Sequence, residues 1–260
     1  MSDIEQFGPW VSKEAQARFA AFLTESATPA DLSEARPYFA AYNQRLLDKA
    51  TARYAVDIAE REIAGVKVYD VVPSGGASES PVLLCLHGGA FMWGEGPGAL
   101  LEAVPIAAAS GMRVLAIDYR LAPDHVYPAA VDDIVAVYRA VTETVDPARI
   151  GIYGCSAGAV LTTQAVAHCL DQGLPRPGAI GLFHGAPVPF VGDAALAQAL
   201  FDPRVRPGAT PKIEELPYFS GADLSDPLVL AAGHPALLAH FPPSLLISAT
   251  RDFAASAVSV

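Results

Sequence analysis

The sequence predicts an α/β fold in which helices cover both faces of a mostly parallel sheet. Segments with strand patterns alternate along the chain with amphipathic helical segments, which is typical of such sheets. The run 82–86 is apolar at successive positions, as expected of a central strand that is buried on both faces. A Gly-x-Ser-x-Gly sequence at 154–158 then joins a strand pattern to a helical pattern.

Composition excludes several classes of function. The chain has 260 residues, 52% of them hydrophobic, which is enough for one domain with a large core. The net charge of −11 without a cluster of Lys and Arg argues against nucleic acid and anionic membranes as partners. An acidic start and the lack of an apolar run of about 20 residues predict a cytoplasmic protein without a membrane span. The three cysteines have no metal-ligand spacing, so no zinc site or disulfide framework is expected.

The segments divide the chain into four parts. Two amphipathic helices precede any strand and form an N-terminal cap segment, 1–50. Residues 51–186 form the first part of the core, and the Pro-, Gly- and Ala-rich stretch 187–241 is an insertion that contributes to the cap. Residues 242–260 carry the seventh strand and the loop after it. Strands are predicted at 56–63, 66–72, 82–86, 114–117, 149–153, 179–183 and 244–248, and core helices at 98–110, 129–144 and from 157 onward.

Ser156, the central residue of the 154–158 sequence, is the candidate nucleophile. Its glycine neighbours allow a sharp turn from strand to helix that holds the hydroxyl outward. Cys155 is a weaker candidate, because such a turn exposes the central residue. A serine hydroxyl attacks an acyl group only with a base to take its proton and donors for the oxyanion.

The donors are expected in a loop after the central strand. His87-Gly88-Gly89-Ala90 offers backbone N–H groups that no bulky side chain obstructs. The N–H groups of Gly88 and Gly89, with that of Ala157 after the nucleophile, are predicted to form an oxyanion hole.

Three blocks make the chain similar to the hormone-sensitive-lipase-like branch of the α/β-hydrolases, also called bacterial esterase family IV. They are 87–91, the Pro-containing turn 118–130 and the 154–158 sequence. The similarity extends from about residue 55 to the end, and the N-terminal helices resemble the cap of that family. Ala90 stands where the family usually has a third glycine, and Cys155 replaces a more usual Asp, Glu or Thr. The resemblance implies an α/β-hydrolase fold with a helical cap, and serine-dependent hydrolysis of short-chain acyl or aryl esters without cofactor or metal.

The resemblance also implies a catalytic acid and a catalytic histidine. Asp252, just after the seventh strand, matches the acid. The alternative is that this aspartate has no catalytic role and caps a helix. The family's histidine lies beyond the acid, after an eighth strand, and this sequence has no histidine after His240 and ends at Val260. We therefore expect a C-terminally shortened form without the eighth strand and last helix. Loss of a triad base costs on the order of a million-fold in turnover, so strong impairment is expected.

Some further residues are candidates for a substrate pocket. Phe91 and Trp93 belong to the oxyanion loop, and His184 ends the sixth strand on the sheet edge where ligands bind. His184 could also serve as a substitute catalytic base, whereas the other histidines are expected to be structural. Aromatic residues of the cap helices are candidates to line an acyl pocket or to belong to the core: Trp10, Phe19, Phe22 and Tyr38.

Two further expectations concern binding and association. The competing function is a non-catalytic small-molecule-binding protein, like the plant gibberellin receptors, which resemble this family and lack a working histidine. Intact Ser156 and Asp252 favour the enzyme. The seventh strand should be an exposed apolar edge, so the usual eighth-strand dimer is not expected, and the chain should aggregate or pair through another surface.

Overall fold

The computed structural model describes residues 7–24, 29, 31–76, 81–188, 192–194, 212–249, 252 and 254–259. Much of the predicted insertion 187–241 therefore lies outside the described residues, and so does the side chain of Phe22.

A seven-stranded sheet with the order β1-β2-β4-β3-β5-β6-β7 forms the centre of the described fold. β1 pairs antiparallel with β2, and β2 pairs antiparallel with β4, whereas every pair from β4 to β7 is parallel. This confirms the mostly parallel sheet. The strands are β1 (Val56–Ile63), β2 (Val66–Pro73), β3 (Val82–Leu86), β4 (Arg113–Ile117), β5 (Ile150–Cys155), β6 (Ala179–Phe183) and β7 (Ser244–Ile247).

Helices cover both faces of this sheet, as predicted. α2 and α3 pack on one face over a cluster that includes Tyr69, Cys85 and Val114, while α4 and α5 pack on the other over Leu84, Leu115 and Ile152. The helices are α1 (Lys13–Thr24), α2 (Leu32–Arg53), α3 (Pro97–Ser110), α4 (Ala129–Thr142), α5 (Ala157–Asp171), α6 (Pro235–Leu238) and α7 (Ala255–Val258). Short 3-10 helices lie at Pro147–Arg149, Ile213–Glu215, Pro217–Phe219 and Ala231–Gly233.

The cap helix α2 is fixed over the carboxyl ends of the strands by one arginine. Asp31 caps the helix by accepting a hydrogen bond from the Ser33 N–H at 2.7 Å. One turn further, Arg36 donates to the carbonyl oxygens of Met92 and Ala122, both at 2.9 Å. The cap is thereby tied both to the loop after β3 and to the Pro-containing turn after β4.

β7 is exposed at the edge of the described sheet. Its apolar residues Leu245, Leu246 and Ile247 are 58%, 48% and 44% exposed. The predicted exposed apolar edge is confirmed for this part of the chain. Among the described residues, no helix has the length and apolar character needed to cross a membrane.

Candidate functional site

Ser156 lies in a strained turn between β5 and α5. Its backbone has φ 54° and ψ −116°, a conformation that side-chain-bearing residues rarely adopt. The turn is possible because Gly158 has no Cβ, since a Cβ there would collide with the carbonyl oxygen of Leu86. The Ser156 N–H donates to the carbonyl oxygen of Phe183 at 2.8 Å, and the residue is exposed to solvent. The turn therefore holds the hydroxyl outward at the sheet edge.

The first turn of α5 presents free N–H groups beside this hydroxyl. The first N–H groups of any helix have no partner within the helix, and they form the positive end of its dipole. Ala157 is the first residue of α5 and directly follows Ser156. Its N–H is therefore well suited to an anion that forms at the serine.

The loop after β3 lies against the serine turn. A Cβ on Gly88 would be 3.0 Å from the carbonyl oxygen of Cys155 and 3.5 Å from the Ser156 Cβ. The next three residues, Gly89, Ala90 and Phe91, all have positive φ, at 124°, 50° and 65°. This conformation turns the peptide groups of the loop away from a regular strand at the point where it faces the serine.

The N–H groups of this loop have different partners. Gly88 donates to the Glu102 Oε1 at 3.2 Å, so its N–H already has a partner. The described residues offer no hydrogen-bond partner to the N–H of Gly89 or Ala90. The oxyanion role that the sequence suggests for Gly88 thus suits Ala90 better. Ala90 occupies the position of the resembling family's third glycine and still offers its N–H, but the sequence did not lead to its assignment as a donor, and Glu102 was not identified from the sequence.

His87 belongs to the framework of this loop and not to the reacting groups. Its ring is buried, stacks on the Tyr119 ring at 4.2 Å, and its Nδ1 lies 2.7 Å from the carbonyl oxygen of Gly88. Burial lowers the pKa of His87 to about 4, so the ring stays neutral near pH 7. His168 is likewise structural, because its Nε2 forms a 2.8 Å hydrogen bond with the Tyr127 hydroxyl.

The predicted pocket residues Phe91 and Trp93 have separate environments. Phe91 is only 2% exposed and stacks on Tyr218 with ring centroids 4.4 Å apart, so its side chain packs in the core and does not line the cavity described next. Trp93 stacks on Phe39 of α2 at 4.5 Å and lines a cavity of about 230 Å³ next to the oxyanion loop.

This cavity lies between the cap and the core. Its lining residues come from three elements: Phe39, Tyr42 and Asn43 of α2, Gly88, Gly89, Trp93 and Gly94 of the loop, and Gly98, Leu101 and Glu102 of α3. Of the other aromatic candidates, Trp10 is 85% exposed, Phe19 contacts Phe7, and Tyr38 stacks on Tyr42. None of these three lines the cavity.

Asp252 and His184 form a hydrogen-bonded pair at the same edge of the sheet. The His184 Nδ1 is 3.0 Å from the Asp252 Oδ2. The carboxylate also accepts from the Ser248 hydroxyl at 3.2 Å and from the Ala254 N–H at 3.0 Å. His184 has φ 51°, and its N–H donates to the carbonyl oxygen of Ile247. Within the described residues, no side chain forms a hydrogen bond with the Ser156 hydroxyl.

The residue beside the serine is unsuited to act as a nucleophile. Burial raises the pKa of the Cys155 thiol to about 12, so very little thiolate exists near neutral pH. Among the residues that the structure describes, no group of three His, Cys, Asp or Glu side chains could hold a metal ion.

The chain is similar in sequence to a known family and to several named hydrolases. The model of a family described as "alpha/beta hydrolase fold" matches residues 83–258. A putative acetyl-hydrolase LipR of Mycobacterium tuberculosis is 39% identical over 146 residues, which is 56% of this chain and 47% of that protein. An acetyl-hydrolase of Streptomyces hygroscopicus is 40% identical over 98 residues, 37% of this chain and 33% of that protein. The chain thus spans about half or less of these relatives.

Two solved structures are similar to this chain over nearly its whole length. The crystal structure of esterase E25 superimposes with a TM-score of 0.74 and 30% identity, covering 96% of this chain and 82% of that one. An esterase from the bacterial hormone-sensitive lipase family gives a TM-score of 0.78 and 25% identity, covering 95% and 82%. The α/β-hydrolase fold and the similarity to the hormone-sensitive-lipase-like esterases are therefore confirmed.

Proposed function

Because the chain belongs to the α/β-hydrolase fold family, we propose that it is a carboxylic ester hydrolase that forms an acyl-enzyme on Ser156. The observation that carries the proposal is the strained turn at Ser156 against a loop with free N–H groups. The relatives named as acetyl-hydrolases and esterases support the reaction class.

In the first proposed step, the Ser156 Oγ attacks the carbonyl carbon of the ester and its proton passes to an imidazole. The carbonyl oxygen becomes an oxyanion that accepts hydrogen bonds from the N–H groups of Ala157, Gly89 and Ala90. Donors already fixed in place stabilise this charge without reorganisation, and each can contribute a factor of about 10²–10³ to turnover. The alcohol then leaves with the proton from the imidazole, and the acyl group stays on Ser156.

In the second step, water attacks the acyl-enzyme, the imidazole takes a proton from that water and passes it to the departing Ser156 Oγ, and the carboxylic acid is released. The proposed imidazole is His184, because Asp252 accepts its Nδ1–H and so leaves Nε2 free to take a proton. Asp252 also stabilises the imidazolium that forms. Because His184, like every other described side chain, forms no hydrogen bond with the Ser156 hydroxyl, proton transfer to it is proposed to be inefficient and turnover by these 260 residues strongly impaired.

Short-chain acyl or aryl esters are the proposed substrates. The cavity beside the oxyanion loop has a volume of about 230 Å³ and is lined by Phe39 and Trp93 on its apolar side. Its size suits a small group better than a long acyl chain. The acetyl-hydrolase names of the relatives agree with a small acyl group.

A fluorophosphonate probe tests the proposed nucleophile. The probe phosphonylates an activated serine irreversibly, and peptide mass analysis identifies the modified residue. We expect labelling at Ser156 that disappears in Ser156→Ala, with Ser220→Ala, which alters an exposed serine outside the site, as the control. Labelling spread over several serines, or none at Ser156, would contradict the proposal.

The absence of a hydrogen-bonded base among the described residues favours a second candidate, a small-molecule-binding protein on the same scaffold. In this case the cavity would hold a ligand without turnover. A measured affinity for ester analogues, together with an unreactive Ser156, would support this alternative.

A further inference from the structure

Glu102 is a partly buried carboxyl group that the proposed reaction does not use. It lies on α3, lines the cavity beside the oxyanion loop, and its Oε1 accepts the Gly88 N–H at 3.2 Å. Its backbone carbonyl oxygen accepts from the Tyr153 hydroxyl at 3.4 Å. α3 itself is held against the cap, because Gly98 allows Asn43 of α2 to approach closely.

The hydrogen bond from the Gly88 N–H to Glu102 holds the loop directly before its free N–H groups. Gly88 immediately precedes the peptide whose N–H is free, and its backbone lies against the serine turn. Rotation of the Gly88 peptide would change the direction of the following N–H groups. An oxyanion hole depends on such directions, since its donors must lie within about 3 Å of the developing charge.

We propose that Glu102 is a positioning residue that fixes the oxyanion loop through the Gly88 N–H and serves this role as a neutral carboxylic acid. The inference rests on the proposed function, because it assigns Glu102 to the oxyanion hole of that reaction. A protonated carboxyl group still accepts the Gly88 N–H through its carbonyl oxygen. A carboxylate at the same place would put a negative charge next to the site where the oxyanion forms, and the two charges would repel each other.

Burial keeps this group protonated to an unusually high pH. Desolvation raises the pKa of Glu102 to about 7, although the hydrogen bond from Gly88 acts in the opposite direction. Although Glu102 lines the cavity and is partly exposed, the surrounding protein removes enough water from its carboxyl group to disfavour the carboxylate form.

Five titratable groups near Glu102 keep their charge state near neutral pH. Burial raises the pKa of Cys85 on β3, of Tyr153 on β5 and of Tyr119 after β4 far above their usual values. Burial raises the pKa of Cys155 to about 12 and lowers that of His87 in the loop to about 4. Tyr42 and Asn43 face the cavity from α2. A transition near pH 7 at this loop is therefore assigned to Glu102 when Glu102→Gln abolishes it.

Two readouts test the inference. The first is the NMR shift of the Gly88 amide from pH 5 to pH 9, which does not need catalysis. The second is kcat and KM for p-nitrophenyl butyrate over the same range. Both are measured for the unchanged chain, Glu102→Gln, Glu102→Ala and the control Glu95→Gln, which alters an exposed carboxylate in the same segment. Thermal unfolding confirms that each variant is folded.

We expect the Gly88 shift to titrate near pH 7 in the unchanged chain and in Glu95→Gln, but not in Glu102→Gln. The kcat of Glu102→Gln should equal that of the unchanged chain at pH 6 and exceed it several-fold at pH 8. Glu102→Ala should lose about tenfold in kcat at both pH values with little change in KM, which is less than the loss of a whole donor.

A Gly88 shift without a transition, or one that persists in Glu102→Gln, overturns the inference whatever the hydrolysis rate. A kcat for Glu102→Ala equal to that of the unchanged chain also overturns it. Failure of the proposed function has a different signature, since hydrolysis would then persist in Ser156→Ala while the Gly88 shift still titrates with Glu102.

Discussion

The His184 imidazole and the Asp252 carboxylate are joined at 3.0 Å between the carboxyl ends of β6 and β7. Ser156 follows β5, which is the next strand in the sheet. The three residues thus stand in the order serine, histidine, aspartate across three neighbouring strands. This order is the one in which a proton passes from a serine to an imidazole that a carboxylate orients.

His184→Ala should lower kcat for p-nitrophenyl butyrate by about 100-fold or more, because general base catalysis contributes about 10²–10⁴-fold. KM should change little, and added imidazole should restore part of the rate. His240→Ala is the matched control, since His240 is exposed and its carbonyl oxygen accepts from Arg176, outside the pair. An unchanged rate in His184→Ala would show that the proton goes elsewhere.

The raised pKa of Glu102 predicts how stability depends on pH. The folded chain keeps this proton up to about pH 7, whereas the unfolded chain loses it near the ordinary value of 4.5. Between these values the folded state binds more protons, so stability falls as pH rises through this window. Glu102→Gln cannot ionise and should melt a few degrees higher than the unchanged chain at pH 8 but not at pH 4.5.

For this comparison the melting temperatures of Glu95→Gln serve as the reference, because Glu95 is exposed. If the melting temperatures of Glu102→Gln and of the unchanged chain depend on pH in the same way, the pKa of Glu102 is not raised by folding.

Gly158→Ala should destabilise the fold by about 1–3 kcal/mol, as expected when a group is forced into a packed site. The new Cβ would collide with the backbone of Leu86, which belongs to a central strand and cannot move aside. Gly233→Ala is the control, because a Cβ there meets no atom within 4 Å. Denaturant unfolding measures both variants, and equal midpoints would disprove the packing argument.

The exposed strand β7 predicts association of the chain. Apolar edge strands pair with other chains, and charged side chains on the edge prevent it. We expect light scattering to detect oligomers or aggregates at micromolar concentration and Leu245→Lys to reduce them, whereas Lys67→Arg, on the surface of β2, should not. A stable monomer of the unchanged chain would contradict this expectation.

Local patterns were sufficient to predict much of the fold. The apolar run at 82–86 and the helical face of Val131, Ile134 and Tyr138 depend on neighbours in sequence, and both are buried as predicted except at Leu83, which is partly buried. The serine turn was recognisable for the same reason, because Gly154 and Gly158 are required by steric contacts within a few residues of the motif and with the adjacent strand.

Contacts between distant segments were not predictable in this way. Phe91 was proposed as a pocket residue because it belongs to the loop after β3. Its ring stacks on Tyr218, which lies 127 positions away in sequence. The bond from Gly88 to Glu102 depends on how α3 packs against the loop, and no sequence spacing specifies that packing. The His184–Asp252 pair joins residues 68 positions apart, and no local pattern in the sequence indicates their contact.

Hydrolysis of p-nitrophenyl butyrate by the 260-residue chain and by Ser156→Ala tests the central claim most directly. The account predicts slow but measurable release of p-nitrophenol by the unchanged chain, with an initial burst if deacylation is the slower step. Ser156→Ala should reduce the rate to that of buffer while its melting temperature stays the same. Equal rates for the two proteins would contradict the assignment of Ser156 as the nucleophile.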